Sequence, residues 1–220
     1  MPKVLLFDLD QTLLNRHESL LRFLDWQVNF LQLVPQYLKA EFIQRFITLD
    51  DHGQVWKDQV YTQLIAEFHI TTFSMEALLQ NYITDFNKFC VAFEQVPETI
   101  QQLHAAGYRL GLISNGKSPF QEHNFYALGL TEYFSCVIVS EAVGLRKPDP
   151  QIFHLACERL NCQPADCIFI GDHPEVDIRG AKNAGMYAIY FHPTTTSDAP
   201  WADASIQHYA ALPQVISYLN

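Results

Sequence analysis

Short apolar runs, separated by segments that contain Gly, Asn, Asp and Pro, alternate with helical patterns over much of the chain. Runs of this kind are typical of strands buried on both faces of a parallel sheet. The predicted strands are Val4–Phe7, Leu110–Ile113, Cys136–Val139, Cys167–Ile170 and Tyr187–Phe191. Helical patterns lie between them over residues 97–106, 118–128, 150–161 and 175–184. Strands that alternate with helices predict an α/β fold built on a doubly wound, mostly parallel sheet.

Residues 16–93 have a different pattern, because long helical periodicity replaces the short apolar runs. One apolar stripe contains Leu20, Leu21, Leu24, Val28 and Leu31, and a second contains Leu78, Leu79, Tyr82, Ile83, Phe86 and Phe89. The segment could consist of ordinary crossover helices, but it is far longer than a crossover needs. We therefore predict a core domain of residues 1–15 and 94–220 and an inserted helical domain of residues 16–93. The polar stretch 193–205 is predicted to be a surface loop.

Composition and charge narrow the class of protein. Hydrophobic residues make up 49% of the 220 residues, and the 16 Phe and 10 Tyr exclude a disordered chain. The net charge of −10 argues against a nucleic-acid partner, which would need a basic face. No apolar stretch has the length of a membrane span, and the first residues lack the apolar region of a signal peptide. We expect a cytoplasmic protein with no membrane partner.

Three of the five cysteines recur at a fixed interval: Cys157, Cys162 and Cys167. This interval is not a usual zinc-ligand spacing, and cysteine often packs as a small buried hydrophobe. The odd count without tight pairing does not indicate a disulfide framework. We interpret these residues as free, buried thiols in a reducing compartment.

Two carboxylates follow the first predicted strand directly. Asp8 and Asp10 can face the same way, with Leu9 facing the other. A pair of this kind could end a strand in a turn, hold a metal or bind a sugar nucleotide. It also suits phosphoryl transfer, because magnesium prefers oxygen ligands and a carboxylate can attack phosphorus.

Three more polar clusters follow later strands, at the sheet edge where ligands gather in open α/β folds. Ser114 and Asn115 could cradle an oxyanion, although a turn with caps explains them equally well. Lys147 could neutralise a phosphoryl group. Asp172 could complete a cation site, and Asp177 could support it or orient Lys147. His173 is expected to lie at the rim of the site or to have a structural role, since magnesium does not favour a histidine ligand.

Together the four clusters resemble the motifs of the haloacid dehalogenase superfamily, in the group with a helical cap inserted after the first motif. The pattern comprises D-x-D-x-T at Asp8, S-N at Ser114, K-P at Lys147 and G-D-x-x-x-x-D at Gly171. The resemblance implies a Rossmann-like core, Mg²⁺ as cofactor, Asp8 as nucleophile and metal ligand, and Asp10 as general acid and base that also contributes to the metal site.

The resemblance also assigns the remaining site residues. It implies that Thr12, Ser114, Asn115 and Lys147 hold the substrate phosphate, with Thr12 supporting the nucleophile loop. It implies Asp172 as a magnesium ligand and Asp177 as support for the metal and Lys147.

Within the superfamily, Asp10 favours phosphatases, because the dehalogenases lack an acid at this position. We therefore expect a magnesium-dependent phosphatase acting through an aspartyl-phosphate. The alternatives are a phosphomutase, a 2-haloacid dehalogenase, or a phosphate-binding module without activity.

The substrate is expected to be a small phosphorylated metabolite of nucleoside monophosphate, flavin or sugar phosphate type. Trp56 and Lys57 lie in the best candidate for a specificity loop, where they could stack on a ring and meet a second anion. A Trp56 that packs inward on an interhelical turn is an equally good interpretation. The protein is expected to be a monomer or homodimer.

Overall fold

A six-stranded parallel sheet forms the part of the chain in which the sequence predicts strands. The structure, a computed structural model, describes residues 3–193 and 199–219. The strands are β1 (Val4–Phe7), β2 (Arg109–Ser114), β3 (Phe134–Val139), β4 (Cys167–Gly171), β5 (Tyr187–Phe191) and β6 (Ala204–Ile206). Their order is β3-β2-β1-β4-β5-β6, and all neighbours are parallel. This order is that of doubly wound Rossmann-type sheets, so the predicted fold class is confirmed.

Helices connect the strands and form the inserted segment. They are α1 (Arg16–Leu31), α2 (Lys39–Asp50), α3 (Lys57–Glu67), α4 (Met75–Asp85), α5 (Val96–Ala105), α6 (Phe120–Ala127), α7 (Ser140–Val143), α8 (Pro150–Leu160), α9 (Gly180–Asn183) and α10 (Leu212–Leu219). A π-helical segment, Pro174–Arg179, leads directly into α9. Proline in the first turn of α5 and α8 fits their starts, since its missing N–H would have no helical partner there.

The central strand β1 is buried along its whole length, which explains why it reads as an unbroken apolar run. On one face of the sheet, α8 packs its apolar side against the strands. Phe153 of α8 meets Phe169 of β4 edge to face, with ring centroids 5.1 Å apart. On β1, Phe7 meets Phe134 at 5.9 Å in the same manner. Helices packed on this sheet hold the ends of the central strands in fixed positions.

The chain divides into two compact units. One contains Met1–Arg16 and Val91–Asn220, and the other contains His17–Cys90. The second unit is helical, and Phe23 of α1 lies at the centre of its aromatic core. Its ring contacts those of Tyr82 and Phe86, with centroids 5.3 Å and 5.8 Å away. Tyr82 and Phe86 belong to the second apolar stripe of the sequence, so α1 packs against that stripe through Phe23.

A buried ion pair lies within the helical unit. The Lys57 ammonium is 2.5 Å from the Asp50 carboxylate, and both side chains are only 2% exposed. Lys57 also donates a hydrogen bond to the Val55 carbonyl at 3.0 Å. Its ammonium lies 5.6 Å and 5.7 Å from the ring centroids of Tyr82 and Trp56. These contacts join the end of α2 to the start of α3.

Two elements near the C-terminus are absent from the sequence prediction. Residues 204–206 form β6 at the sheet edge, so the prediction of a loop over 193–205 is wrong at its end, and residues 194–198 of that stretch lie outside the described residues. Helix α10 was not predicted either. Throughout the described ranges, each helix is too short or too polar to cross a bilayer.

Replacing Lys57 by methionine should lower the free energy of unfolding by about 3 kcal/mol, because it leaves Asp50 as a buried carboxylate without its cation. Chemical denaturation measures this change. Lys88→Met is the matched control, because Lys88 pairs with Asp85 at an exposed position and the expected loss is below about 1 kcal/mol. Equal losses in the two variants would contradict the buried pair.

Candidate active site

The register of the sheet brings three of the predicted clusters to one edge. Asp8 follows β1, Ser114 is the last residue of β2, and Asp172 follows β4. Strands β2, β1 and β4 are adjacent and parallel, so their carboxyl ends lie side by side. The Asp8 amide donates to the Ile170 carbonyl at 2.9 Å, which extends the pairing of β1 with β4 up to the site. In doubly wound sheets, ligands bind at this edge where the strand order reverses.

Lys147 joins the fourth cluster to the others through two ion pairs. Its ammonium lies 2.5 Å from the Asp8 carboxylate and 2.7 Å from that of Asp177. The side chain is 2% exposed although it precedes α8 on a surface connection. The ammonium also lies 5.2 Å from the ring centroid of Phe169. A lysine is buried in this way only where carboxylates compensate its charge.

The carboxylates are crowded. Ligand oxygens of Asp8, Asp172 and Asp177 all lie within 4.8 Å of one another. Burial, with the charges of Asp177 and Asp10, raises the pKa of Asp8 to about 7, even though Lys147 acts to lower it. Burial and the neighbouring carboxylates of Asp177 and Asp8 hold the pKa of Asp172 well above its usual range. Burial acts to lower the pKa of Lys147, but Asp177 and Asp8 outweigh it, so the pKa lies above the ordinary lysine value.

This donor set fits a divalent cation. Three ionised carboxylates and one ammonium leave two negative charges in a buried place. A divalent cation would balance them, and carboxylate oxygens are the ligands of magnesium and calcium. The described residues contain a second cluster of candidate metal ligands, the three thiols of Cys157, Cys162 and Cys167, which a hard cation would not choose.

Asp10 is positioned by a residue that the sequence analysis missed. Gln121 of α6 is 3% exposed, and its amide nitrogen donates to the Asp10 carboxylate at 2.7 Å and to the Ser114 hydroxyl at 3.0 Å. Asn124 in turn donates to the Gln121 carbonyl oxygen at 3.1 Å. Gln121 thus links the loop after β1 to the end of β2. No local pattern marks this residue, since its partners are distant in sequence.

Thr12 and Asn115 contact other site residues in ways that the motifs do not reveal. The Thr12 hydroxyl donates to the Asp172 carboxylate at 3.4 Å. The Asn115 amide donates to the Lys147 carbonyl and accepts from the Lys147 amide, both at 2.9 Å. In the structure these side chains therefore hold Asp172 and Lys147 in place. Their direct contact with a phosphate stays a prediction.

Tyr209 is a second residue that the sequence analysis missed. Its side chain is fully buried, and its hydroxyl donates to the Thr12 carbonyl at 3.1 Å. The turn that precedes α10 therefore supports the loop of Asp8 and Asp10. Tyr209 lies 197 positions from Thr12, so no spacing rule could have related the two.

The turn after β4 fixes Asp177. Its carboxylate accepts from the His173 amide at 3.1 Å, in addition to pairing with Lys147. The His173 ring accepts hydrogen bonds from the amides of Glu175 and Val176 at 3.3 Å and 3.2 Å, so it caps the π-helical segment. A side chain at Gly171 would be too close to Asp177, because a Cβ there would lie 2.6 Å from its carboxylate carbon. Glycine at position 171 is thus a condition for this arrangement.

The predicted specificity residues, Trp56 and Lys57, belong to the helical unit. The Lys57 ammonium is engaged with Asp50 inside that unit, and Trp56 is half-buried beside it. Its contact with Asp50 gives Lys57 a structural role that the sequence did not suggest.

The family model of haloacid dehalogenase-like hydrolases matches residues 5–191, which include all but the first residue of β1, the whole of β2 to β5, and all four motif clusters. The chain belongs to this family. The resemblance seen in the motifs is thereby confirmed.

Two kinds of relative illustrate the family. A glyceraldehyde 3-phosphate phosphatase of Methanopyrus kandleri is 36% identical over 97 residues, which are 44% of this chain and 42% of the relative. The chain thus matches less than half the length of this relative. A 2-haloacid dehalogenase structure from Pseudomonas syringae pv. Tomato DC3000 is 27% identical, with a TM-score of 0.66 and full coverage of both chains.

The fold also matches that of YfnB, a HAD-hydrolase of Bacillus subtilis solved with bound magnesium. The TM-score is 0.76 at 22% identity, and 98% of each chain is covered. At this identity the likeness concerns the fold.

Replacing Gly171 by alanine should displace Asp177 and weaken its pairing with Lys147. We expect a loss of about 1–3 kcal/mol in the free energy of unfolding, typical of added volume in a packed site. In an Asp177→Gly background, which removes the steric conflict, Gly171→Ala should cost much less. Denaturation of the four members of this cycle tests the coupling, and additive losses would contradict it.

In the absence of divalent cations, the protein should become less stable as the pH rises from about 5 to about 8. The reason is that the pKa of Asp8 is about 7 in the folded chain and 3.8 when unperturbed, so the folded state holds a proton that the unfolded state has released. Asp172 acts in the same direction.

Asp8→Asn removes one of the two carboxyl groups whose pKa is raised, so the stability of this variant should fall less steeply over the same pH range. Denaturation in the presence of a chelator measures both slopes. Identical slopes for the variant and the original protein would contradict the raised pKa of Asp8.

Proposed function

We propose that the protein is a magnesium-dependent phosphatase that hydrolyses a small phosphate monoester through an aspartyl-phosphate on Asp8. The observation that carries this proposal is the contact of one buried ammonium, Lys147, with both Asp8 and Asp177, at 2.5 Å and 2.7 Å. This contact holds a carboxylate at the end of the central strand, the sheet edge at which ligands bind in doubly wound folds. It also places a fixed positive charge beside the oxygen that would attack.

In the first step, an Asp8 oxygen attacks phosphorus, and the bond from phosphorus to the ester oxygen breaks. The leaving oxygen takes the electron pair and receives a proton from Asp10. Asp10 is suited to this role because it lies two positions after the nucleophile in the chain. The side-chain amide of Gln121 holds its carboxyl group in place. The phosphoryl group is now bonded to Asp8.

In the second step, Asp10 removes a proton from water, and the water oxygen attacks phosphorus. The bond between Asp8 and phosphorus breaks, which releases inorganic phosphate and restores the Asp8 carboxylate. Asp10 thus ends the cycle in its protonated form, ready for the next ester. The same residue acts as acid and then as base.

The phosphoryl oxygens would be held by Lys147 and Ser114, which lie at the ends of neighbouring segments. The ammonium neutralises charge that develops as the phosphoryl group moves. Thr12 and Asn115 assist by holding Asp172 and Lys147. Bound Mg²⁺, with Asp8 and Asp172 as side-chain ligands and a contribution from Asp10, would offset further negative charge on the phosphoryl group.

The substrate class is proposed from the site and from the relatives together. The buried ammonium of Lys147 beside the carboxylates suits one phosphate group, and the Methanopyrus kandleri relative is named a glyceraldehyde 3-phosphate phosphatase. Sugar phosphates, nucleoside monophosphates and flavin phosphates are therefore the substrates to test. The alternative of a 2-haloacid dehalogenase is less favoured, because a halide leaves without a proton and the acid Asp10 would have no role in that reaction.

Asp8→Asn should abolish Mg²⁺-dependent release of phosphate, because an amide cannot attack phosphorus. Asp10→Asn should behave differently with two substrates. With p-nitrophenyl phosphate, whose leaving group needs little protonation, it should give a burst of one p-nitrophenol per enzyme and then turn over slowly. With an alkyl phosphate, both the burst and the turnover should fall, with kcat reduced by about 10²–10⁴-fold.

Rapid-quench kinetics measures the burst, and mass spectrometry of the quenched enzyme should show one added phosphoryl group on Asp8. The control is Glu98→Gln, which changes an exposed acid on α5 and should keep full activity. Undiminished hydrolysis by Asp8→Asn would rule out the proposed nucleophile. Phosphate esters that bind to the original protein but are never hydrolysed would favour a binding module.

A further inference from the structure

A cluster of three thiols lies away from the carboxylates. Cys157 is on α8, Cys162 lies two positions after that helix, and Cys167 begins β4. The Cys162 and Cys167 sulfurs are 3.4 Å apart, and those of Cys157 and Cys167 are 3.7 Å apart. All three sulfurs lie within 4.8 Å of one another. Cys157 and Cys167 are buried, while Cys162 is half-buried and gives access from the surface.

The backbone explains how a spacing foreign to common zinc motifs brings three sulfurs together. Helix α8 ends at Leu160, the next residue, Asn161, adopts a left-handed conformation, and the Cys162 amide donates to the Cys157 carbonyl at 3.0 Å. A turn over Pro164–Asp166 then reverses the chain into β4. These two successive reversals of the chain bring the three cysteine side chains together, and the linear spacing alone does not predict this.

The separations suit a shared metal ion. Zinc binds thiolate at about 2.3 Å, so two sulfurs on a tetrahedral zinc ion lie about 3.8 Å apart. A disulfide would require about 2.05 Å, much shorter than any pair here. Small adjustments of these sulfurs would thus complete a three-thiolate site, whereas a disulfide would need a larger movement.

Charge favours a divalent ion over a monovalent one. Three thiolates in a mostly buried place need positive charge nearby. Arg109 lies beside Cys162 and donates to the Leu160 carbonyl at the end of α8, so it supplies part of that charge. A divalent ion supplies two further charges, and thiolate ligands select soft ions such as zinc and cadmium.

We propose that Cys157, Cys162 and Cys167 bind one divalent thiophilic metal ion, Zn²⁺ or Cd²⁺. The fourth position is open toward solvent on the side of the half-buried Cys162. Binding forms three metal–sulfur bonds and releases the three thiol protons to solvent, with no change of oxidation state.

The site lies at the opposite end of β4 from the phosphatase carboxylates. Cys167 is the first residue of the strand and Asp172 follows its last, and a five-residue strand spans roughly 13 Å. A metal here would clamp the end of α8 to the start of β4 and would not touch the reacting groups. The inference is therefore independent of the proposed function.

Titration of the reduced protein with Cd²⁺, in excess Mg²⁺ to occupy the carboxylates, tests the proposal. Thiolate bound to Cd²⁺ gives an ultraviolet charge-transfer band that carboxylates do not give. We expect the band to saturate at one equivalent, to disappear when Zn²⁺ displaces Cd²⁺, and to accompany a rise in Tm. Absence of the band in the reduced protein would overturn the proposal.

Cys162→Ala is the decisive variant, because its half-buried position lets the fold survive, which circular dichroism verifies. Loss of a direct ligand should weaken Cd²⁺ binding by about 100-fold or more, since even indirect support of a ligand is worth 10- to 100-fold. Cys136→Ala, a buried cysteine in the same core, and Cys90→Ala in the helical unit are controls that should bind as before. Unchanged binding by Cys162→Ala, or equal losses in the controls, would overturn the assignment.

Discussion

The burial of Lys147 between two carboxylates is the interaction on which the rest of the site depends. Asp8 and Asp177 come from loops after different strands, and without a cation their burial beside Asp172 would be strongly unfavourable. Lys147 reaches them from the connection before α8, and its backbone is held in turn by both polar ends of the Asn115 amide. Through its ammonium and its backbone, Lys147 thus joins the loops after β1, β2 and β4. These loops can pack against the sheet because the Lys147 ammonium compensates the charges of the Asp8 and Asp177 carboxylates.

The single ammonium of Lys147 does not neutralise the three carboxylates of Asp8, Asp172 and Asp177. This excess of negative charge contributes to the raised pKa values of Asp8 and Asp172. The pKa of Asp8 is raised to about 7 by burial and by its acidic neighbours, so the cation-free fold favours a proton on the group that we propose as the nucleophile. A bound divalent cation would remove this conflict by favouring the ionised form. The same crowding that makes the site costly without a cation therefore selects for a cation. These carboxylates lie within the residues that the family model matches.

The parts of the fold that the sequence predicts are those with a strong local signal. The strand Val4–Phe7 is an unbroken apolar run because both of its faces are buried, and Asp8 stands out because an acid directly follows that run. Strand β6 has three residues, of which only Ile206 is buried, so the sequence shows no apolar run at this strand. Gln121 lies 111 positions from Asp10, and it looks like any polar residue on a helix until the helix packs. The burial of Lys57 could not be predicted from the sequence either. A charged residue near a glycine turn is expected to be exposed, whereas Lys57 is buried because it pairs with Asp50 at the end of the preceding helix.

Strand β4 carries opposite chemistry at its two ends. At its carboxyl end, Gly171 leaves room for Asp177, and the buried oxygens of Asp8, Asp172 and Asp177 suit a hard cation. At its other end, sulfurs gather where α8 and the following turn meet Cys167. Both clusters arise from the same geometric fact, which is that loops entering and leaving a buried strand converge beside it. What differs is the donor atom, and because oxygen selects hard ions and thiolate selects soft ones, two metals could bind the same element without competing.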